Sequence, residues 1–380
     1  MLIKNCQIIY LDRIEKGTVW IEDGKIKAID PVCDIEQMDE VYDANGLYLA
    51  PGFIDVHIHG AGGYDTMDGT SYSINTISKV IMKHGTTSFL PTTMTMSIGD
   101  INKTLRVIKS VKEEGSLGAN VLGAHLEGPF INLDAVGAQN FKYILKPSIE
   151  EYKKMVDGCE DVVTSITLAP EVKGANELIE YISKKGVICS VGHTKATYED
   201  IIKSIKYGVS HSTHLYNAMS GFNHREPGVV GAIFDSDIKT EIICDGIHVS
   251  YPALRIAFKI KSTDNVLLVS DAMRACCMED GKYELGNQDV YVKSGVARLE
   301  NGALAGSVLT LDKAIKNVHE HCNIPLHEVV KMATYNPAKH CKVDTHKGLI
   351  KEGYDADLVL FDENINIKRV FINGEEKFKK

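Results

Sequence analysis

The sequence predicts an α/β fold, a (β/α)8 barrel of the TIM type joined to a small β-sandwich built from both termini. Three observations lead to this prediction. Eight short apolar segments alternate with helical patterns over about 220 residues in the middle of the chain. Both ends show alternating strand patterns around hairpin turns instead. Polar residues follow several of the apolar segments, where such a barrel places its active site.

The two ends of the chain have the same kind of pattern. "GTVWIEDGKIKAID" alternates around an Asp-Gly turn, and "DADLVLFD" precedes "VFINGEEKF", which contains an Asn-Gly turn. Strands at both ends of a different middle indicate one sheet domain made from two separate segments. We therefore assign residues 1–50 and 345–380 to the small domain and residues 51–344 to the barrel.

The eight candidate barrel strands are short and rich in β-branched residues. They are, in order, "GFIDVHI", "TSFLPTT", "NVLGAHLEG", "TSITLAP", "GVICSVGH", "GVSHSTHL", "TEIICDG" and "NVLLVSD". Helical patterns between them include "NKTLRVIKSVKEE", "NELIEYISKK", "YEDIIKSIKYG" and "PALRIAFKIKS". Two stretches interrupt the alternation, the link after "HLYNAM" and the segment from Arg274 to Ser307, and we interpret both as insertions at the rim.

Composition narrows the function classes. The 380 residues are 44% hydrophobic and 24% charged, which is typical of a globular protein. We expect no membrane span and no signal peptide, since no apolar run is long enough and no basic n-region precedes one. Nine scattered cysteines without a CxxC pair indicate reduced thiols and a cytoplasmic location. A net charge of −9 argues against a nucleic-acid partner but allows a small anionic substrate held by local positive charge.

The first candidate strand contains His57 and His59. Because successive strand residues point to opposite faces, these two side chains point the same way. Taken alone, the pair is compatible with two core histidines or with two metal ligands.

Polar residues at the ends of the other candidate strands favour metal ligands over core histidines. Six groups able to bind a metal or move a proton lie at equivalent ends of five strands: His57, His59, Glu127, His193, His214 and Asp271. We expect one ion on His193, His214 and Glu127, and a second on His57, His59 and Glu127. The ligand types suit divalent zinc, iron, cobalt, manganese or nickel, with one or two ions per subunit. Such ions lower the pKa of bound water to about 7, and Asp271 can accept its proton and return it to a leaving group.

Longer motifs cover essentially the whole chain and match a known family. They are "PGFIDVHIHG", "HLEGPF", "VGHT", "THLYNAM", "HREPG", "DGIHV", "SDAMRA", "LAGS" and "TYNPA". The chain resembles the N-acetylglucosamine-6-phosphate deacetylases of the amidohydrolase superfamily. The resemblance implies a metal-dependent barrel that hydrolyses N-acetyl-D-glucosamine 6-phosphate to D-glucosamine 6-phosphate and acetate, in the catabolism and recycling of amino sugars.

The resemblance also implies substrate contacts. Arg225 and His248 would bind the phosphate and the sugar, and the Arg225 loop would reach the neighbouring site of a homodimer. The remaining contacts would come from short segments of the rim: Ala138, Gln139, Asn217, Ala218, Leu304, Ala305 and Gly306. Gln139 stands where some members have histidine, so carbonyl activation would depend more on metal. Some members also lack the first-strand histidines and use one ion.

Two other functions remain open from the residues. A different amidohydrolase, such as a ring opener, dipeptidase or nucleobase deaminase, would share the barrel. Many ring openers need a lysine on strand four, which "TSITLAPE" lacks, and a deaminase would not need Arg225. A catalytically inactive scaffold would not need the metal ligands, so the complete ligand set together with Asp271 argues against a scaffold.

Three further residues are interpreted as structural. We interpret His125 as lying behind the ligands, and Cys276 and Cys277 as loop or packing residues without an evident base.

Overall fold

The structure, a computed structural model, describes residues 1–31 and 40–380. Eight parallel strands form the barrel, and all eight candidate segments supply one strand each. The strands are Phe53–Ile58, Thr86–Thr93, Ala124–Glu127, Val163–Leu168, Ile188–Val191, Val209–Ser212, Lys239–Ile243 and Val266–Val269. Strand pairs run in chain order from the first to the eighth. The predicted barrel fold is confirmed.

The barrel closes between its first strand and the residues just after its last one. The backbone N–H of Asp271 donates to the carbonyl of His57 over 2.9 Å, and the N–H of His59 donates to the carbonyl of Ala272 over 2.9 Å. Ile58 and Ala272 form a parallel bridge at the same level. Closure therefore places Asp271 beside the two histidines of the first strand.

The described residues contain ten α-helices, most of them after barrel strands. Tyr198–Tyr207 shows why one of them begins where it does: Thr197 and Asp200 cap its N-terminus reciprocally, and Ile201 faces the core. The others are Ser71–Met82, Ile98–Glu114, Ile149–Val156, Ala175–Ser183, Gly228–Phe234, Tyr251–Lys261, Leu311–Cys322, Leu326–Ala333 and Tyr335–His340. None of the helices in the described residues is long and apolar enough to cross a bilayer.

Both termini join in one eight-stranded sheet with its own hydrophobic cluster. The predicted Asp-Gly and Asn-Gly turns connect antiparallel neighbours in it. Its strands are Leu2–Ile9, Ile14–Glu22, Lys25–Ile29, Val41–Asp43, Tyr48–Pro51, Leu358–Phe361, Ile367–Ile372 and Glu375–Lys379. The limits assigned to the two domains stay a prediction. Cys33, one of the nine cysteines, lies outside the described residues.

The segment expected to be a rim insertion forms a small antiparallel sheet of its own. Its three strands are Gly281–Leu285, Gln288–Lys293 and Val296–Leu299. Three shorter strands complete the set of strands in the described residues: Gly60–Ala61, Tyr64–Asp65 and Asn120–Val121.

A buried ion pair stabilises the C-terminal part of the terminal sheet. The Nζ atom of Lys347 lies 2.8 Å from Asp355 Oδ2 and 2.7 Å from Asp357 Oδ2. The other oxygen of Asp357 accepts a hydrogen bond from the backbone N–H of Asn373. Removing the cation would leave the buried Asp357 carboxylate without a positive partner among the described residues, while Asp355 would keep its contact with Lys25.

We expect Lys347→Met to lower the free energy of unfolding by about 3–5 kcal/mol, the usual effect of removing one partner of a buried ion pair. Equilibrium unfolding in urea measures the change. Lys173→Met is the control, since this exposed lysine has no ion-pair partner among the described residues, and such surface changes alter stability by about 0.5 kcal/mol or less. Equal losses in the two variants would contradict a stabilising role for the Lys347 pair.

Candidate active site

The six groups expected to form a metal site come together at the carboxyl ends of the barrel strands. His57 lies within the first strand and His59 directly after it, and Glu127 is the last residue of the third strand. His193, His214 and Asp271 each lie two residues beyond the ends of their strands. All six are nearly inaccessible to solvent, the most exposed being Asp271 at 8%.

One group of donor atoms surrounds an oxygen of Glu127. Glu127 Oε1 lies 3.1 Å from His193 Nε2 and 3.0 Å from His214 Nε2, and these two nitrogens are 3.2 Å apart. The carboxylate and both imidazoles therefore aim at one point. They form a group able to hold a metal ion.

A second group lies beside the first. His57 Nε2 and His59 Nε2 are 3.4 Å apart, and Asp271 Oδ1 lies 3.5 and 3.3 Å from them. Glu127 also contacts this group, since its Oε2 lies 3.1 Å from His59 Nε2. Glu127 is thus positioned between the two groups, as a bridging carboxylate would be.

The outer nitrogens of three imidazoles are already bonded. His57 Nδ1 donates to Glu241 Oε2 over 2.8 Å, His59 Nδ1 to the carbonyl of Thr92 over 3.2 Å, and His193 Nδ1 to the carbonyl of Ala135 over 3.0 Å. With the proton held at Nδ1, the lone pair at Nε2 points into the cluster. This is how histidines are oriented around metals, so the residues present fit a divalent ion.

The electrostatics of the cluster also suit a cation. Burial would raise the pKa of Glu127, but the surrounding imidazoles outweigh it and hold that pKa well below its usual value. Burial likewise opposes charge on Asp271, yet His57 and His59 lower its pKa. Both carboxylates therefore stay ionised at neutral pH, which is the form in which a carboxylate binds a metal ion.

Unusual backbone conformations turn three of these side chains toward the centre. His193, His214 and Asp271 have φ angles of 47°, 28° and 48°, in the left-handed region that residues other than glycine seldom adopt. Each such residue costs about 1–3 kcal/mol. Since all three follow barrel strands and reach the same cluster, the strain coincides with the convergence of the donor atoms.

An open pocket of about 360 Å³ leads to this cluster. Most of the residues expected to contact substrate line it: Ala138, Gln139, Asn217, Ala218, His248, Leu304 and Gly306. His248 is held by Asp245, whose Oδ2 lies 2.6 Å from its Nδ1. Ala305 is buried behind the wall, and Arg225 is exposed on the rim and does not line the pocket of its own chain.

Gln139 has a more definite place than the sequence suggested. Its Nε2 donates to Glu127 Oε2 over 2.6 Å, and its Oε1 accepts from the backbone N–H of Thr95 over 2.7 Å. The amide is therefore fixed against the carboxylate between the two donor groups. In this arrangement Gln139 orients Glu127 as well as lining the pocket.

Sequence reasoning missed two residues of the site. Glu241 is fully buried and bonds His57, and an acidic residue inside the apolar segment "TEIICDG" was a signal that could have identified it. Lys195 follows His193 by two residues and is the only lysine or arginine in the described part of the chain that lines the pocket.

His125 lies behind the ligands, as the sequence indicated. Its ring is edge-on to that of His57, with the two ring centres 4.6 Å apart.

A barrel whose strand ends gather four imidazoles and two carboxylates in one buried cluster is the architecture of metal-dependent hydrolases. The sequence pattern of the amidohydrolase family matches residues 48–377, and the chain belongs to that family. Within it, the N-acetylglucosamine-6-phosphate deacetylase of Lysinibacillus sphaericus is 41% identical to the chain, covering 98% of the chain and 97% of the relative. The resemblance expected from the motifs is confirmed.

Solved structures agree with this assignment. The N-acetylglucosamine-6-phosphate deacetylase of Pasteurella multocida superposes with a TM-score of 0.94 at 34% identity, covering 99% of this chain and 98% of that one. A mutant of the Mycobacterium smegmatis enzyme, in complex with N-acetyl-D-glucosamine 6-phosphate, superposes with a TM-score of 0.92 at 29% identity. It covers 100% of this chain and 99% of that one.

Proposed function

We propose that the chain hydrolyses N-acetyl-D-glucosamine 6-phosphate to D-glucosamine 6-phosphate and acetate, as a metal-dependent deacetylase of amino sugar catabolism. The observation that carries the proposal is the pair of donor groups sharing Glu127, with Asp271 beside them at the base of an open pocket. The deacetylase relatives support the substrate. The reduced thiols predicted for the chain support a cytoplasmic enzyme.

The residues that would hold the metal follow from the two groups. Glu127, His193 and His214 would hold one ion, and His57 and His59 would hold a second with Glu127 between the two. When bound, such an ion supplies Lewis acidity and lowers the pKa of a water molecule toward neutrality. Gln139 and Glu241 would keep Glu127 and His57 in their ligating orientations through the hydrogen bonds described above.

Asp271 would move the proton of the reaction. Its carboxylate is ionised at neutral pH and has an oxygen free to accept a proton from the attacking water. The amine is a poor leaving group without a proton, so Asp271 would then donate that proton to the sugar nitrogen as the amide C–N bond breaks. One carboxyl group would thus serve first as base and then as acid.

The walls of the pocket would position the sugar. Leu304 and Gly306 provide an apolar face, while Asn217 and His248 offer polar contacts to hydroxyl groups. Lys195 at the edge would add positive charge for the phosphate. Arg225 would supply a further cation from the neighbouring subunit of a homodimer, since it does not line the pocket of its own chain.

Acetate release from N-acetylglucosamine 6-phosphate tests the proposal, with and without prior treatment by a chelator. We expect turnover that is lost after chelation and regained with a divalent transition metal. The galactosamine and mannosamine isomers, a hydantoin and a dipeptide are assayed in parallel. Turnover of the hydantoin or the dipeptide without acetate release from any sugar phosphate would assign another reaction of the family, and no turnover of any compound by the metal-loaded protein would favour a scaffold.

Arg225 is expected to recognise the phosphate. Removing one partner of a desolvated charge pair commonly costs about 2–5 kcal/mol, so Arg225→Ala should lower kcat/KM for the phosphorylated sugar by roughly 30- to several-thousand-fold. Activity on unphosphorylated N-acetylglucosamine, already poor, should barely change. Both substrates are needed because a folding defect would lower both activities equally. Equal losses in a variant whose circular dichroism and unfolding midpoint match the wild type would show that Arg225 does not bind phosphate.

Mixed dimers distinguish a contact within one chain from a contact between chains. Arg225→Ala and Asp271→Asn subunits are each expected to be poorly active alone. If Arg225 serves the neighbouring site, a mixed dimer contains one site with both Asp271 and the partner-supplied arginine, and activity returns on mixing. If Arg225 serves its own site, no site in the mixture has both residues and activity stays low.

A further inference from the structure

Outside the catalytic pocket, a thiol, an imidazole and a carboxylate form a connected row. Cys277 Sγ lies 3.3 Å from His84 Nε2, and His84 Nδ1 lies 3.1 Å from Asp312 Oδ2. The adjacent Cys276 Sγ is 3.8 Å from that of Cys277. None of these four residues lines the pocket. The interpretation of Cys277 as a residue without a base was therefore wrong, because the base comes from a distant part of the chain.

The row comes from three separate elements. His84 follows the helix Ser71–Met82, Asp312 lies in the first turn of Leu311–Cys322, and Cys277 lies in the loop after the eighth barrel strand. Asp312 can accept a hydrogen bond from the Nδ1–H group of His84, which leaves the Nε2 atom of His84 free to take the proton of the thiol. A thiolate beside an imidazolium results, which is the reactive form of cysteine.

The groups facing Cys277 favour that charge state. Hydrogen bonds from Cys276 and His84, together with the positive charges of His84 and Lys313, outweigh the partial desolvation of the sulfur by its neighbours and lower the pKa of the Cys277 thiol to about 5. Burial opposes charge on His84, but its bonds to Asp312 and Cys277 outweigh this and raise its pKa. The two shifts agree in predicting an ion pair at neutral pH.

Cys277 differs from the other cysteines in access as well. Of the eight cysteines in the described residues it is the only exposed one; Cys341 is partly exposed and the other six are buried. It is also the only one of the eight with a histidine in hydrogen-bonding contact. A nucleophile of this kind, open to solvent and away from the catalytic pocket, is placed to react with molecules other than the sugar substrate.

We propose that Cys277 is a modification site that reacts with small disulfides, the oxidised forms of low-molecular-weight thiols. The Cys277 thiolate attacks one sulfur of the disulfide, a new S–S bond forms, and the S–S bond of the reagent breaks. The second sulfur leaves as a thiolate with the bonding electron pair and takes up the proton that His84 received. Cys277 is oxidised, the released half of the reagent is reduced, and no further oxidant is needed.

The test uses the full chain with oxidised glutathione as the probe, and mass spectrometry locates and times the mixed disulfide. A thiol with a pKa near 5 is at least about nine-tenths ionised throughout pH 6 to 8, so the wild-type rate at Cys277 should be almost independent of pH. His84→Gln keeps a hydrogen-bonding amide but cannot carry the positive charge. With an ordinary thiol pKa of about 8.5, its rate should rise roughly 80-fold over the same range.

The pH profiles of the modification rate in the wild type and in His84→Gln should also cross between pH 6 and pH 8. A low-pKa thiolate is intrinsically less nucleophilic, by a Brønsted slope of about 0.4–0.5. The wild type should therefore react about 10-fold faster than His84→Gln at pH 6 and more slowly at pH 8. Asp312→Asn should shift the profile in the same direction as His84→Gln, which guards against a folding defect in one variant.

Cys341→Ser, at the partly exposed cysteine, is the matched control and should leave the modification unchanged, as should Cys33→Ser. Cys277→Ser should abolish it while retaining acetate-release activity. Modification only at Cys33 or Cys341 would overturn the proposal. So would a wild-type profile as steep as that of His84→Gln, because Cys277 would then be an ordinary exposed thiol.

Discussion

Replacing Asp271 by asparagine is expected to lower kcat by about 10²–10⁴, the usual contribution of a positioned acid–base group, while the protein still binds metal. Asparagine has the same shape and keeps an oxygen near His57 and His59, which lie 3.5 and 3.3 Å from the carboxylate Oδ1. It cannot accept the proton of the attacking water or deliver one to the departing amine. The loss should therefore appear in the chemical step.

Elemental analysis and steady-state kinetics on the same samples test this expectation. Asp134→Asn is the matched control, because Asp134 lines the pocket but belongs to neither donor group. That variant should change kcat by no more than a few-fold. Near-full turnover by metal-loaded Asp271→Asn would show that another group moves the proton.

Removing a ligand from either donor group is expected to have different effects on metal content. His193→Ala or His214→Ala should abolish tight binding of the catalytic ion and, with it, turnover, because only Glu127 would remain beside one imidazole. His57→Ala should mainly remove a second ion, since His57 belongs with His59 and Asp271 in the neighbouring group. The physical reason is that Glu127 touches both groups while the histidines divide between them.

The metal content per chain decides between one shared site and two separable ones. His211→Asn is a suitable control, because this buried histidine packs edge-on against His340 and belongs to none of the groups of described side chains able to hold a metal ion. It should keep most of its metal. Loss of all metal in His57→Ala, to the same extent as in His193→Ala, would argue against two separable sites.

Much of the fold and of the donor set follows from local sequence patterns. The eight barrel strands are visible as short apolar runs because each is buried on both faces, and their terminal polar residues stand out against that background. His57 and His59 share a face by the twofold period of a strand, whatever surrounds them. The alternation of strand and helix then brings the ends of neighbouring strands together, which is enough to predict that Glu127, His193 and His214 meet.

Contacts between distant loops could not be predicted in this way. The exposed place of Arg225, outside the pocket of its own chain, depends on the path of a rim loop that no periodicity specifies. The bond from Gln139 to Glu127 requires a particular fold of the segment after the third strand. The partner of His57, Glu241, lies 184 residues away, and Cys277 meets a histidine 193 residues away.

The sequence by itself therefore determined the barrel, the sheet made from both termini, and the set of side chains at the strand ends, since each of these depends on residue type and short-range period. Only the tertiary structure decided which hydrogen bonds orient those side chains, which candidate residues reach the pocket, and which cysteine thiol lies beside a histidine that can take its proton. These features depend on the directions of loops and on backbone angles such as the positive φ of His193, His214 and Asp271. Packing against the rest of the chain selects such angles against their local preference, so they leave no local signal in the sequence.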